Sequence, residues 1–435
     1  MGGTLTSLKK TLLQKRMADE KYEFPRTLEE FGYAFNEEGE LRDVKTGNRF
    51  EFKVEADNHR YNQARYNALG DIITRYIYKI MESEYGLRRV YLPEDAAEDE
   101  PKTLIFLSDD ALTNPDKLLL LVHGSGAVRA GQWARSIIIN DDLHKGSQLP
   151  YIKWALDEGY GLIVFNTNIN SVDRNGEEVK IRGHSSPEEH FKTVWEDFVG
   201  RAKAKNIGIV AHSYGGAAVL ENVRLHTEQF LDRVFALAMT DSVHALLYRN
   251  EEQEMEAVFP KDNPRITDER VLDFYIKRAM NWASAFDPLD TPLKTSMDKC
   301  PTVSAGTDKH EYTSDSCKAS VFKWLTEALE KRLGLRSEPT ASNGVKSEES
   351  VQSQSEGKTE AMDSKASPVV TDGSVVPTHG DKQGAEEVLT SKTDADSTGG
   401  LMESGKTDNS EAEDKKNIKN IDSSQTDSTD KKEEL

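Results

Sequence analysis

Ser213 lies in Ala211-His212-Ser213-Tyr214-Gly215-Gly216, and the residues around it are arranged for nucleophilic chemistry. Ile207-Gly208-Ile209-Val210-Ala211 reads as a short apolar strand, and the run from Gly215 to Leu220 opens a helix. A strand that turns this sharply into a helix strains its turn residue and needs small side chains two positions before and after. Ala211 and Gly215 meet that need, with alanine where the familiar G-x-S-x-G pattern has its first glycine. A serine held in this way attacks acyl carbon once a neighbouring base takes its proton.

The chemistry requires three further groups. A developing oxyanion needs main-chain N–H donors at about 3 Å. Leu118 to Val122 reads as a strand that ends in His123-Gly124-Ser125-Gly126, where α/β-hydrolases place half of an oxyanion hole. Gly124 or Ser125 would supply one N–H, and Tyr214, next to the nucleophile, the other. The acid and the base must follow in the order serine, acid, histidine. Asp241 ends the apolar run Val234 to Met239, within Thr240-Asp241-Ser242-Val243-His244. His310 follows Thr302 to Ala305 in Gly306-Thr307-Asp308-Lys309-His310, and the only later histidine is His379. Asp308 is the alternative acid and His244 the alternative base. His212 is expected to pack or hydrogen-bond locally. The segment Arg129 to Arg135 either lines the pocket or begins a helix. Trp154, Trp282 and Trp324 are expected in the core.

The elements that must position these residues alternate between short apolar strands and helices, the signature of a parallel α/β sheet. Further strands are expected near Val90 to Leu92, Leu104 to Leu107 and Leu162 to Phe165. Leu69, Ile72, Ile73, Tyr76, Ile77 and Ile80 give a long helix one apolar face. Another helix starts at the N-cap Ser186, with Pro187 at its first position and Glu189 completing a capping box. Its buried stripe is Phe191, Val194, Trp195 and Phe198. A last helix is expected from about Val321 to Arg332. Residues 31–52 read as a three-stranded meander, and about 247–292 as a helical insertion over the sheet. The fold class is therefore α/β and α/β-hydrolase-like. The organisation is a polar leader (1–22), one α/β-hydrolase-like domain (23–336) and an acidic tail (337–435).

Composition narrows the function classes. The chain has 435 residues and a formal net charge of -20. The tail holds 22 acidic and 11 basic residues and no aromatic side chain, a composition that cannot offset the entropy of ordering. Two cysteines, Cys300 and Cys317, argue against a disulfide framework and fit a reducing compartment. No cluster has metal-ligand spacing, and neither metal nor cofactor is expected. An acidic chain without a basic stripe is not expected to bind nucleic acid directly, which points to protein partners. No run of about 18 apolar residues predicts a transmembrane helix. Met1-Gly2-Gly3-Thr4-Leu5-Thr6 fits a loose myristoylation pattern that would lipidate Gly2. Lys432-Glu433-Glu434-Leu435 resembles a lumenal retention signal, which would act only if another isoform supplied a signal peptide.

Taken together, these motifs resemble the argonaute-binding (Arb-two) domain family, in its vertebrate co-transcriptional regulator branch. The resemblance is carried by Tyr33-Ala34-Phe35-Asn36-Glu37, Asp110 to Pro115, Val122 to Gly126 with Arg129 to Arg135, and Ser186 to His190. It continues through the Ser213 elbow, Thr240 to His244 and Ser304 to Asp308, spanning roughly residues 23–333. It implies an α/β-hydrolase-like scaffold with a potential serine nucleophile at Ser213, the alternative being an active serine hydrolase on an unidentified ester, thioester or amide. It also implies argonaute, chromatin or splicing factors as partners, roles in small-RNA silencing, heterochromatin or alternative splicing, and a place in the nucleus or cytoplasm. The basic insertion of the best-known vertebrate relatives is reduced here to Asn170 to Gly183.

Overall fold

The computed structural model describes residues 22–244, 269–294 and 300–335. The acidic tail, both terminal motifs and most of the leader lie outside the described residues.

Strands β1 (Tyr33–Phe35) and β2 (Leu41–Asp43) pair as an antiparallel hairpin. The third strand expected at Phe50 to Phe52 does not form. Arg65 Nη1 donates to the Glu51 carbonyl at 2.9 Å, so that group goes to a side chain instead of a ladder. Both phenylalanine rings pack on Tyr66. Helix α1 (His59–Ser83) follows, and Ile72, Ile73, Ile77 and Ile80 of the expected face are buried.

The central sheet holds β3 (Arg88–Leu92), β4 (Thr103–Leu107), β5 (Lys117–Val122), β6 (Gly161–Val164), β9 (Asn206–His212), β10 (Val234–Thr240), β11 (Ala279–Ala283) and β12 (Thr302–Ser304). A separate exposed hairpin, β7 (Ser171–Arg174) with β8 (Glu177–Lys180), occupies the Asn170 to Gly183 segment. The spatial order of the sheet is β12-β11-β10-β9-β5-β6-β4-β3. Strands β6, β5, β9, β10, β11 and β12 run parallel, while β4 is antiparallel to both of its neighbours.

Helices cover both faces, as period-two burial requires. On β5, Leu119 and Leu121 join the core built with α1, α3 (Leu149–Asp157, after the short α2, Arg135–Asn140) and α8 (Lys318–Arg332). Leu118, Leu120 and Val122 point the other way. They pack with α4 (Pro187–Val194), α5 (Gly215–Leu225), α6 (Thr227–Arg233) and α7 (Glu269–Arg278). The expected α/β class, a mostly parallel sheet between helical layers, is the observed one.

Two local differences from expectation have physical causes. The segment expected as a helical insertion contains α7 and then β11, which pairs in parallel with β10 and β12; residues 245–268 are outside the described set. Buried Asn281 on β11 hides the strand in the sequence, yet its carboxamide oxygen accepts from Ser242 N at 3.2 Å. At the N-terminus of α4, Ser186 Oγ accepts from Glu189 N at 3.1 Å as a cap should. The Glu189 carboxylate, however, takes the N–H of Ser185 at 2.7 Å, not that of Ser186.

Candidate active site

β5 lies between β6 and β9, so successive connections leave it in opposite directions, and a crevice opens at the carboxyl ends of such strands. Ser213 stands there, directly after β9, with φ of 51°. That left-handed conformation is uncommon for a residue bearing Cβ, and tertiary contacts hold it. Ser213 N donates to Thr240 O at 3.0 Å, and Val243 N donates to Ser213 O at 3.2 Å. The turn is also crowded. A Cβ at Gly215 would lie 2.8 Å from the carbonyl oxygens of Val122 and His123. A Cβ at Gly124 would lie 2.8 Å from Ser213 Cβ and 3.3 Å from Ser213 Oγ. Both positions therefore require glycine.

The Gly124 contact places the loop after β5 against Ser213. Asn168 shapes that loop. Its Nδ2 donates to Gly124 O at 2.8 Å, Gly126 O at 3.1 Å and Val128 O at 3.3 Å. In a trans peptide the following N–H points opposite the carbonyl, so the Ser125 N–H faces away from Asn168. Among the described residues, neither Ser125 N nor Tyr214 N donates a hydrogen bond to the chain. His123 is fully buried, with Nδ1 2.8 Å from Gly124 O. Burial pulls its pKa down to about 4, so the ring is neutral. The Tyr214 hydroxyl donates to Glu188 at 2.7 Å. Burial and that carboxylate push its pKa up to about 12.

Across the site, Asp241 follows β10 with φ of 47°, and its N–H donates to Trp282 O at 2.7 Å. Its Oδ1 accepts from Ser284 N at 3.0 Å, and its Oδ2 lies 2.7 Å from His310 Nδ1. A carboxylate only accepts, so Nδ1 carries the proton and Nε2 of the neutral ring is bare. The Asp241 bond raises the His310 pKa above 6.5 against the opposing pull of burial. Burial pushes Asp241 upward, but the bonds from His310 and the Ser284 amide outweigh it and hold the carboxyl below its ordinary value. No hydrogen bond joins Ser213 Oγ to His310 among the described residues. Such contacts often tighten only when substrate is bound.

The structure thus brings Ser213, Gly124, Asp241 and His310 to the carboxyl ends of β9, β5, β10 and β12. Asp308 is exposed, and the carboxylate that bonds His310 among the described residues is that of Asp241. The His244 ring lies parallel to Tyr275, with centroids 6.0 Å apart. Asn168 and Ser284 act at the site without a sequence signal, since polar loop residues have no informative spacing. Trp282 is buried as expected and also lends its carbonyl to Asp241. Among the described residues no group of three or more His, Cys, Asp or Glu is arranged to hold a metal ion. No described helix is long and apolar enough to cross a membrane.

A strand–serine–helix turn facing an aspartate–histidine pair on a mostly parallel sheet is the arrangement of α/β-hydrolase-like proteins. More narrowly, the family model for the Arb2 domain matches residues 24–289, and the chain belongs to that family. It is 41% identical over 358 residues to the mouse "Cotranscriptional regulator ARB2A", covering 71% of this chain and 82% of that one. A Dictyostelium discoideum homologue of that regulator is 32% identical over 337 residues, covering 70% and 81%. Among solved structures, the histone deacetylase Clr3 matches with TM-score 0.40 and 16% identity, covering 60% of this chain and 39% of that one. A 2-hydroxy-6-oxo-6-phenylhexa-2,4-dienoate hydrolase from Rhodococcus sp. strain RHA1 matches with TM-score 0.23 and 17% identity, covering 43% and 53%.

Proposed function

We propose that the chain is a serine hydrolase acting on an ester, thioester or amide. The observation that carries this reading is the 2.7 Å His310–Asp241 bond beside a strained serine at the same edge of the sheet. Ser213 Oγ attacks the acyl carbon while His310 Nε2 takes its proton, and Asp241 fixes the ring and balances the imidazolium. The amides of Tyr214 and Ser125 or Gly124 hold the oxyanion. His310 then protonates the leaving group. A water deprotonated by His310 attacks the acyl carbon, and His310 returns that proton to Ser213 Oγ as the acyl–oxygen bond breaks and the acid departs. The test is labelling of the full chain by a fluorophosphonate probe beside Ser213→Ala. Labelling that depends on Ser213 is expected, and its absence would sink the hydrolase reading.

A second reading is favoured by the 41% identity to a protein named as a cotranscriptional regulator. In it the domain is a scaffold for argonaute, chromatin or splicing factors in the nucleus, and Ser213 is not needed. Binding to purified argonaute that survives Ser213→Ala and His310→Ala is its expected signature; loss of binding in both variants would tie recognition to the pocket.

A further inference from the structure

His310 touches a second group besides Asp241. The imidazole of His212, the residue just before the nucleophile, lies against it with ring centroids 4.8 Å apart and planes inclined by 30°. His212 is buried at the end of β9, whereas His310 sits on an exposed turn. The buried ring is held on several sides. Its Nδ1 lies 2.9 Å from Thr240 O, 3.1 Å from Thr240 Oγ1 and 3.3 Å from Ser314 Oγ. Thr240 stands opposite His212 in the β9–β10 register. Ser314 is anchored through its carbonyl by Tyr151 Oη at 2.6 Å, and Trp133 meets the His212 ring edge-on at 6.1 Å.

A backbone carbonyl only accepts, so His212 Nδ1 carries the proton and the tautomer is fixed. Burial, reinforced by His310, keeps this ring from taking a second proton; the other groups acting on it are the Thr240 carbonyl and Asp241, which favour protonation, and His123, which opposes it. Those facing His310 are Asp241 and Glu311. When His310 accepts the serine proton, the face of its imidazolium therefore meets a neutral ring, not another cation. An aromatic face attracts a cation, most strongly where water is excluded.

We propose that His212 is a positioning residue whose buried, hydrogen-bonded ring sets the plane of His310 against Asp241 and stabilises the imidazolium that His310 becomes. The proposal rests on the hydrolase reading for its use, but the ring contact is measurable without turnover. The experiment is an NMR titration of isotope-labelled histidines in the full chain, with His310→Asn to assign the His310 signal. It compares the parent with His212→Ala, His212→Gln and His212→Phe, each also treated with the fluorophosphonate probe.

In the parent the His310 midpoint is expected above 6.5. In His212→Ala it should fall toward that ordinary value, with labelling slowed about tenfold. His212→Phe keeps an aromatic face and should retain most of both. His212→Gln keeps a donor for Thr240 without a ring, and replaces the alanine variant if that one does not fold. A His310 midpoint unchanged in the ring-less variants overturns the proposal. A midpoint that depends on His212 in a chain that never labels overturns the hydrolase reading and leaves the positioning role standing. Labelling that is indifferent to His212 overturns the use assigned to it here.

Discussion

The two halves of the site are built from different materials. On the β5–β9 side almost everything is main chain. Gly124 and Gly215 allow backbones to touch, Asn168 gathers three carbonyls, and Ser213 is held by bonds to Thr240 and Val243. On the β10–β12 side one side-chain pair, Asp241 with His310, would carry the proposed chemistry, and the His310 side chain is 48% exposed. The first half is set by volume and direction, and the second by charge. Substitutions should therefore fail differently on the two sides.

The largest effect is expected from removing charge without changing shape. Asp241→Asn should slow Ser213 labelling by about 10⁴-fold, because the amide permits the wrong His310 tautomer. A melting temperature within a few degrees of the parent would show that the loss is electrostatic; a collapse of the fold would erase the contrast. Next comes volume. Gly124→Ala puts a Cβ 2.8 Å from Ser213 Cβ, and displacing the donor loop should cost about 10²- to 10³-fold in labelling rate. Normal labelling of that variant would mean the main-chain half yields easily. Asn168→Ala should be milder, about tenfold, as loss of a loop-shaping hydrogen-bond group suggests.

The smallest effects are pH dependences, and they have opposite signs in the two halves. The labelling rate should rise with pH through a midpoint above 6.5, as His310 loses its proton, and Asp241→Asn should lower that midpoint. The folded His310 pKa is raised, so its contribution to stability is full below 6.5 and fades as pH rises through the folded value. His123 and His212 behave conversely. Burial lowers them to about 4 and about 3, so the unfolded chain binds more protons below 6.5. Stability should fall as pH drops from 6.5 toward 4, measured by urea unfolding. His123→Gln should flatten that slope.

Much of the sheet, including five of the six strands that lie together in parallel, is legible in the sequence because its strands are apolar runs bounded by turns. β11 is not, since Asn281 breaks the run and α7 precedes it without a turn signal. The third meander strand does not form, and the Glu51 carbonyl instead accepts from Arg65, a partner fourteen residues further on that no local pattern contains. At the site, spacing and order are enough to nominate Ser213, Asp241 and His310. Choosing between Asp241 and Asp308 requires knowing which carboxylate the fold carries to His310, and that depends on strand order. Asn168 is invisible for the same reason, because its partners lie 40 to 44 residues away in the chain.

The loops of this edge are tied to one another through backbone groups. Ser213 N binds Thr240 O, Val243 N binds Ser213 O, Asp241 N binds Trp282 O and Ala285 N binds Thr307 O. None of these bonds uses the hydroxyl of Ser213 or the imidazole of His310. A descendant of this chain could exchange either side chain and keep the same rim in the same place. Loss of the proposed reaction and loss of a proposed recognition surface would therefore be separable events in this architecture, and a partner that read the rim would not register the change.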